Sequence, residues 1–237
     1  DCAGNWIFEK KGSDEMHIPD GYLSPQTGGV MYVVMLPLWI AASKIVKKTL
    51  KARQVPYLAF GASFSFVIMM FNVPIPGGST GHAVGGTLVA VLLGPWAAMI
   101  AVTVALVIQA LLFGDGGITA LGANCFAMAF VLPFVGYYIY RLISWKSPKE
   151  SPRRPIAAAI GAYFGLVVAS MVVAVLFGIQ PLLYHTADGK ALYCPYGLNI
   201  ALPAMFLEHA LLFGFIEAAV TFMVIKYLQK EDPSLIQ

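Results

Sequence analysis

The stretch LVAVLLGPWAAMIAVTVALVIQALLF, residues 88–113, contains no charged residue, and its reading decides the fold class. A helix crossing a hydrocarbon layer of ~30 Å needs about 20 apolar residues. The part from residue 95 to 113 is therefore one span. Gly94 and Pro95 interrupt the stretch. Proline suits the first turn of a helix and cannot continue the preceding one. The stretch thus predicts two helices, 81–93 and 95–113, the first of them short. It is completed by the Gly-rich residues before it or enters from a recessed loop. The other reading is one long helix kinked at Pro95. Outward from this stretch, comparable runs lie near 27–47, 56–72, 119–145, 155–178 and 200–228. Lipid offers the backbone no partners, so spanning segments are helices or closed barrels. These runs are continuous rather than alternating, which excludes a barrel. The expected fold is an all-α polytopic membrane protein with about seven transmembrane helices. Composition agrees: 59% of the residues are hydrophobic and 11% charged, against roughly 25% charged in soluble domains.

The basic residues set the expected orientation. Lys44, Lys47, Lys48, Lys51 and Arg53 follow the first span. Arg141, Lys146, Lys149, Arg153 and Arg154 lie between the fifth and sixth, and Lys226 and Lys230 follow the last. With seven spans all three clusters share one side, which the positive-inside rule makes cytoplasmic. With six they do not. The N-terminus is then outside, with His17, His82 and His185 outside or at the outer membrane edge. The net charge of +3 is explained by topology and calls for the lipid bilayer as partner, not nucleic acid. The first fifteen residues lack the apolar region of an intact signal peptide. They read as a leader, a remnant or a segment foreign to the natural chain, ahead of one membrane domain over 16–237. Cys2, Cys125 and Cys194 show no metal-ligand spacing, and a Cys2–Cys194 bridge has no supporting framework.

Two histidines stand in otherwise apolar surroundings, His17 in MHIPDGYLSP (16–25) and His82 in PIPGGSTGH (74–82). Imidazole is a common ligand of nickel, cobalt, copper and zinc. A free Met16 amine, the deprotonated His17 amide and His17 Nδ1 would close a five- and a six-membered ring around one metal. His82 would fill the remaining corner of a square, the geometry of Ni(II) or Cu(II). The simpler reading makes each histidine a satisfied polar residue at a membrane interface, and the Gly77-Gly78 and Gly85-Gly86 pairs contacts between helices. Glu208, His209 and Glu217 lie in the last span. Ionisable groups there are costly and usually functional. They read as a shell around the site, as a polar seam or as an interhelical hydrogen-bond pair. Asp115 reads as the cap of the following span. Gln109 and Asn124 stay open between structural and functional roles, and His185 reads as solvent-exposed.

These motifs together resemble the NikM/CbiM family, the substrate-binding components of energy-coupling factor transporters, and are nearest to NikM. The MHIPDGYLSP segment is similar to the family's N-terminal signature, and NVPIPGGSTGHAVGG (72–86) to its second. FGDGG (113–117) and GAN (122–124) are similar to its third. The resemblance runs from Met16 to about residue 228. It implies a seven-helix subunit of a cell-membrane importer of Ni(II) or Co(II), with the metal on Met16, His17 and His82. The implied partners are a transmembrane coupling subunit (NikQ/CbiQ-like), ATPase subunits (NikO/CbiO-like) and a small accessory membrane subunit (NikN/CbiN-like). The subunit itself is not an enzyme, and no P-loop occurs in the chain. In the family the ligating methionine is the mature N-terminus, whereas fifteen residues precede Met16 here. A secondary transporter or channel for divalent metal ions, with Glu217 as proton relay, is the alternative. An intramembrane metalloenzyme is disfavoured, because the HExxH motif is missing.

Overall fold

The computed structural model describes residues 17–75 and 79–236. Residues 1–15, Met16 and Gly77-Gly78 of the Gly-rich motif lie outside the described residues. The chain folds as an all-α membrane protein with one small β-hairpin. Helix α1 is Pro25–Thr49 and α2 is Val55–Met69. Strands β1, Asn72–Ile75, and β2, Ser79–His82, pair antiparallel, with Asn72 opposite His82. Then come α3, Gly86–Leu93, α4, Pro95–Phe113, and α5, Leu121–Ile143. Helix α6 is Arg153–Leu183, and α7 is Leu198–Glu231.

Five of these, α1, α4, α5, α6 and α7, are long and apolar enough to cross a membrane. Large apolar side chains such as Val33, Leu112, Leu142 and Leu211 are exposed. In a lipid-facing belt that exposure is no defect, because lipid tails are as apolar as leucine. Helix α2 has 15 residues. Helix α3 has 8, or about 12 Å at ~1.5 Å per residue.

The short third segment has a physical explanation. The helix expected over 81–93 begins only at Gly86, and residues 79–82 form β2 instead. Gly85 turns the chain at φ 75° into α3. A Cβ there would strike the Phe64 ring at 2.6 Å. Strand pairing gives the facing backbone groups of β1 and β2 partners within the protein, as non-helical backbone in a membrane protein requires. At the other end Gly94 adopts φ 88° and ψ 158°, and Pro95 opens α4. The two are separate helices, which excludes one helix kinked at Pro95. Ser24 starts α1 by accepting the Thr27 amide on its Oγ at 3.1 Å, with Pro25 in the first turn.

The core packs through small residues. Gly136 of α5 faces Gly161 and Gly165 of α6, with Thr87 of α3 between them. A Cβ on Gly161 would overlap the Gly136 carbonyl, and one on Gly165 would lie 2.7 Å from the Leu132 carbonyl. Close helix approach of this kind replaces the hydrophobic drive that lipid cannot supply. Near the chain's end the 144–152 loop is knitted to the C-terminal segment. Lys149 Nζ donates to the Ser234 carbonyl at 3.1 Å, and Gln229 Nε2 donates to the Ser151 carbonyl at 2.9 Å. Arg154 Nη1 donates to the Tyr140 hydroxyl at 2.6 Å.

Gly161→Leu should lower the thermal midpoint in detergent markedly, on the scale of ~1–3 kcal/mol or more for overpacking. Gly29→Leu, with nothing within 4 Å of its Cβ position, should leave it nearly unchanged. Equal midpoints for the two variants would contradict the packing account.

Candidate metal centre

The segment from His17 to Ser24 packs on the helix bundle as irregular backbone, and several of its polar groups are held by distant parts of the chain. The Ile18 amide donates to Asn124 Oδ1 at 3.1 Å, and Asn124 Nδ2 donates back to the Ile18 carbonyl at 3.2 Å. The Gly117 amide also donates to that carbonyl, at 2.9 Å. Asp20 accepts from the Thr119 amide at 2.9 Å and the Ile118 amide at 3.3 Å. Further along, the Ser24 amide donates to Gln180 Oε1 at 3.0 Å and the Cys194 amide to the Tyr22 carbonyl at 3.0 Å.

The loop between α4 and α5 is the seat for this segment. Gly114 and Gly116 take φ values of 65° and 79°, which favour glycine. A Cβ on Gly116 would sit 2.9 Å from His17 Cβ, and one on Gly117 would overlap the Asp20 backbone. That is the physical content of the FGDGG motif. Asp115 does not cap α5 as expected. That helix starts at Leu121 after Ala120, without a side-chain cap, and the Asp115 amide instead donates to the Gln109 carbonyl at 3.1 Å.

His82 is held from the other side by Glu217. This carboxylate, 1% exposed in the middle of α7, accepts the Val84 amide at 2.7 Å and the Gly85 amide at 2.9 Å. Those amides open α3, so the carboxylate sits where a helix N-terminus favours negative charge. It fixes the backbone two residues after His82. Glu208 packs on Gly81, where any Cβ would overlap its Oε1.

His17, His82 and His209 are 7%, 6% and 7% exposed. His17 and His82 are therefore enclosed by the protein rather than open on its surface. The β-hairpin and the clamped 17–24 segment bring them together, with ring centroids 4.9 Å apart at an interplanar angle of 76°.

Each imidazole has one nitrogen facing an acceptor. His17 Nε2 is 3.0 Å from Gln109 Oε1, His82 Nδ1 is 3.2 Å from the Ala83 carbonyl, and His209 Nδ1 is 2.9 Å from the Met205 carbonyl. A carbonyl can only accept, so His82 Nδ1 and His209 Nδ1 carry the hydrogens, and in neutral rings their Nε2 atoms carry the lone pairs. With the Gln109 amide oxygen toward His17, Nε2 donates there and the lone pair falls on Nδ1. Such outer partners orient metal-ligating histidines. Gln109 is fully buried, and its amide nitrogen has no partner among the described residues. The bundle tolerates that cost and keeps the amide oxygen on His17.

Helical order widens to π-geometry at Gln109–Phe113, Cys125–Val131 and His209–Phe213. The three segments begin at or directly beside Gln109, Asn124 and His209, as π-bulges at functional sites do. A cavity of about 50 Å³ lies between the three imidazoles and includes Thr80, Met128, Ser170 and Met205 in its wall. It has room for an ion and a few waters rather than an organic molecule.

Among the described residues, no three His, Cys, Asp or Glu side chains converge for a metal. Cys194 is buried, and burial pushes its thiol up to about 11, so it offers no thiolate at neutral pH. Cys2 lies outside the described residues. His185 is exposed and bonds the Pro181 carbonyl at 3.2 Å. Glu217 and His209 do not pair with each other, since each bonds backbone.

Residues 17–235 match a family described as "Cobalt uptake substrate-specific transmembrane region". The chain belongs to this family. It is the NikM/CbiM family that the motifs resemble, a family of metal transport components rather than enzymes. The chain is 51% identical over 222 residues to the probable fused nickel transport protein LarMN of Lactiplantibacillus plantarum, covering 92% of this chain and 66% of that protein. It is 49% identical over 221 residues to the fused nickel transport protein NikMN of Rhodobacter capsulatus, covering 93% and 64%. It thus spans about two thirds of the length of these relatives. A solved structure described as a transition metal transporter superposes with a TM-score of 0.87 at 56% identity, covering 92% of this chain and 94% of that one.

Gln109→Met removes the acceptor that orients His17 while filling the same space. Nickel affinity by isothermal titration should fall about 10–100-fold, the usual cost of losing an outer partner of a ligand, with the thermal midpoint little changed. An unaltered Kd would contradict the orienting role.

Proposed function

We propose that this chain is the metal-capturing subunit of an ATP-driven importer of the energy-coupling factor type and that its cargo is Ni(II), with Co(II) as the other candidate. The observation that carries the reading is the His17–His82 pair, buried, with rings 4.9 Å apart and acceptors on the opposite nitrogens. Two imidazoles on adjacent corners of a square, with metal–nitrogen bonds of ~2 Å, have centroids roughly 4.5 Å apart. On opposite corners the centroids would be farther apart than observed. The proposed donors are the Met16 amine, the His17 amide and Nδ1, and His82 Nε2. Backbone nitrogen fits a site where only two side-chain donors meet. The His17 amide must lose its proton, and the ligand field of Ni(II) rewards that in a planar set.

The nickel in the names of the two relatives supports the cargo. Those relatives are described as fusions, which supports a small NikN/CbiN-like partner. The coupling subunit and ATPases follow from the family resemblance, because a cargo site enclosed in a bundle needs work from outside to open. Seven spans complete the reading, with α2 and the pair of hairpin and α3 joining the five long helices. The N-terminus is then outside the cytoplasmic membrane of a prokaryote, and the basic clusters are inside. The contact of Lys149 with Ser234 supports one side for the second and third clusters.

Protein beginning at Met16 should bind Ni(II) at least tenfold more tightly at pH 7 than protein in which residues 1–15 precede it. An amide in place of the amine must shed a second backbone proton before it can bind. His82→Ala in the Met16-initiated form should lose at least tenfold, one decade being ~1.4 kcal/mol. Equal affinity with and without residues 1–15 would remove the amine from the ligand set.

A further inference from the structure

We infer that the cavity holds a second metal position, centred on His209 Nε2 and the Met205 thioether, distinct from the His17–His82 position and able to take the same ion when that chelate opens. The inference rests on the reading that His17 and His82 bind a transition metal.

Three observations carry it. First, His209 is 7% exposed, and its Nδ1 is occupied by the Met205 carbonyl at 2.9 Å. Its other nitrogen, Nε2, has no protein partner among the described residues. His209 lies in the wall of the same cavity as His17 and His82, and an imidazole nitrogen left over there can bind an ion or a water. Second, Met205 precedes His209 by four residues, so the two side chains share one helix face. Both line the cavity. An imidazole with a thioether is a donor set for borderline and soft transition metals, and it excludes calcium and magnesium, which require oxygen. Third, α7 widens to π-geometry from His209 to Phe213. The change of helical geometry begins at His209 itself, beside Met205 in the cavity wall.

His209 is not a third arm of the first position. No three side chains of the ligating types converge among the described residues. The two positions are therefore alternatives. The first has a deprotonated amide, which binds tightly and releases slowly. The second has neutral donors only, needs no backbone proton loss and holds the ion more weakly. Transfer between them exchanges ligands one at a time within the one cavity of about 50 Å³. The metal then never passes bare through apolar surroundings, and at release the proton returns to the His17 amide.

The test uses the purified full membrane protein beginning at Met16, titrated with Ni(II) and with Co(II) at pH 7. The deciding comparison is His82→Ala against His82→Ala combined with His209→Ala. Combination with His209→Gln is the second form, in which an amide retains a hydrogen-bond donor for the Met205 carbonyl. The His82→Ala protein should keep a weak site, at least tenfold weaker than the parent. Adding either change at His209 should weaken that site by at least a further tenfold, with the thermal midpoint held within a few degrees. Co(II) absorption in the single variant should shift when Met205→Leu is added. Identical binding with and without His209, or no binding at all by His82→Ala, would overturn the second position. The parent compared with His82→Ala reads the first position separately, so its failure is distinguishable.

Discussion

Backbone at membrane depth must find its hydrogen bonds within the protein, and two non-helical segments meet that constraint by borrowing side chains. Asn124 pairs with both polar groups of Ile18, imitating a strand neighbour with a single amide. Glu217 accepts the two amides that open α3. Without these clamps the 17–24 segment and the Gly-rich turn would leave peptide groups unsatisfied, at several kcal/mol each in lipid. With them, irregular backbone carries His17 and His82 from opposite directions to one point. The glycines serve the same end. Gly116, Gly117 and Gly81 let chain and carboxylate come closer than any Cβ would permit.

The site's chemistry follows from what surrounds the rings. Each imidazole has one ring nitrogen on a fixed oxygen partner, which holds the ring's orientation. Preorganisation of this kind reduces the ordering cost of binding. From His17 onward the segment is fixed by hydrogen bonds to Gln109 of α4, Asn124 of α5 and Gln180 of α6, and to the loops at Gly117–Thr119 and Cys194. Its position is thereby tied to the conformation of the bundle.

Much of this was legible in the chain. The charge-free stretch 88–113 gave membrane helices, Gly94-Pro95 marked a true break, and the motifs at 16–25 and 72–86 brought His17 and His82 forward as a pair. The burial of the site was not legible. A histidine in a Gly-rich segment between apolar runs looks like a loop residue, because hydropathy cannot distinguish a hairpin enclosed by helices from an exposed one. The signal lay in Glu217, a carboxylate with no lysine or arginine nearby in sequence. Its partners are backbone amides of the glycine-containing turn that follows His82. Gln109 and Asn124 were visible as polar residues in apolar helices, but their partners lie 92 and 106 positions away. Asp20, which holds the 17–24 segment on Thr119, lies inside the 16–25 motif but carried no role of its own in the sequence.

The central claim is that backbone and imidazole nitrogens together hold the ion in a plane. X-ray absorption at the nickel edge, on Ni(II)-loaded protein beginning at Met16, tests it most directly. The account predicts a four-coordinate, square-planar centre with nitrogen neighbours only, including the outer-shell pattern of two imidazoles. A six-coordinate centre with oxygen neighbours, or a single imidazole, would contradict it.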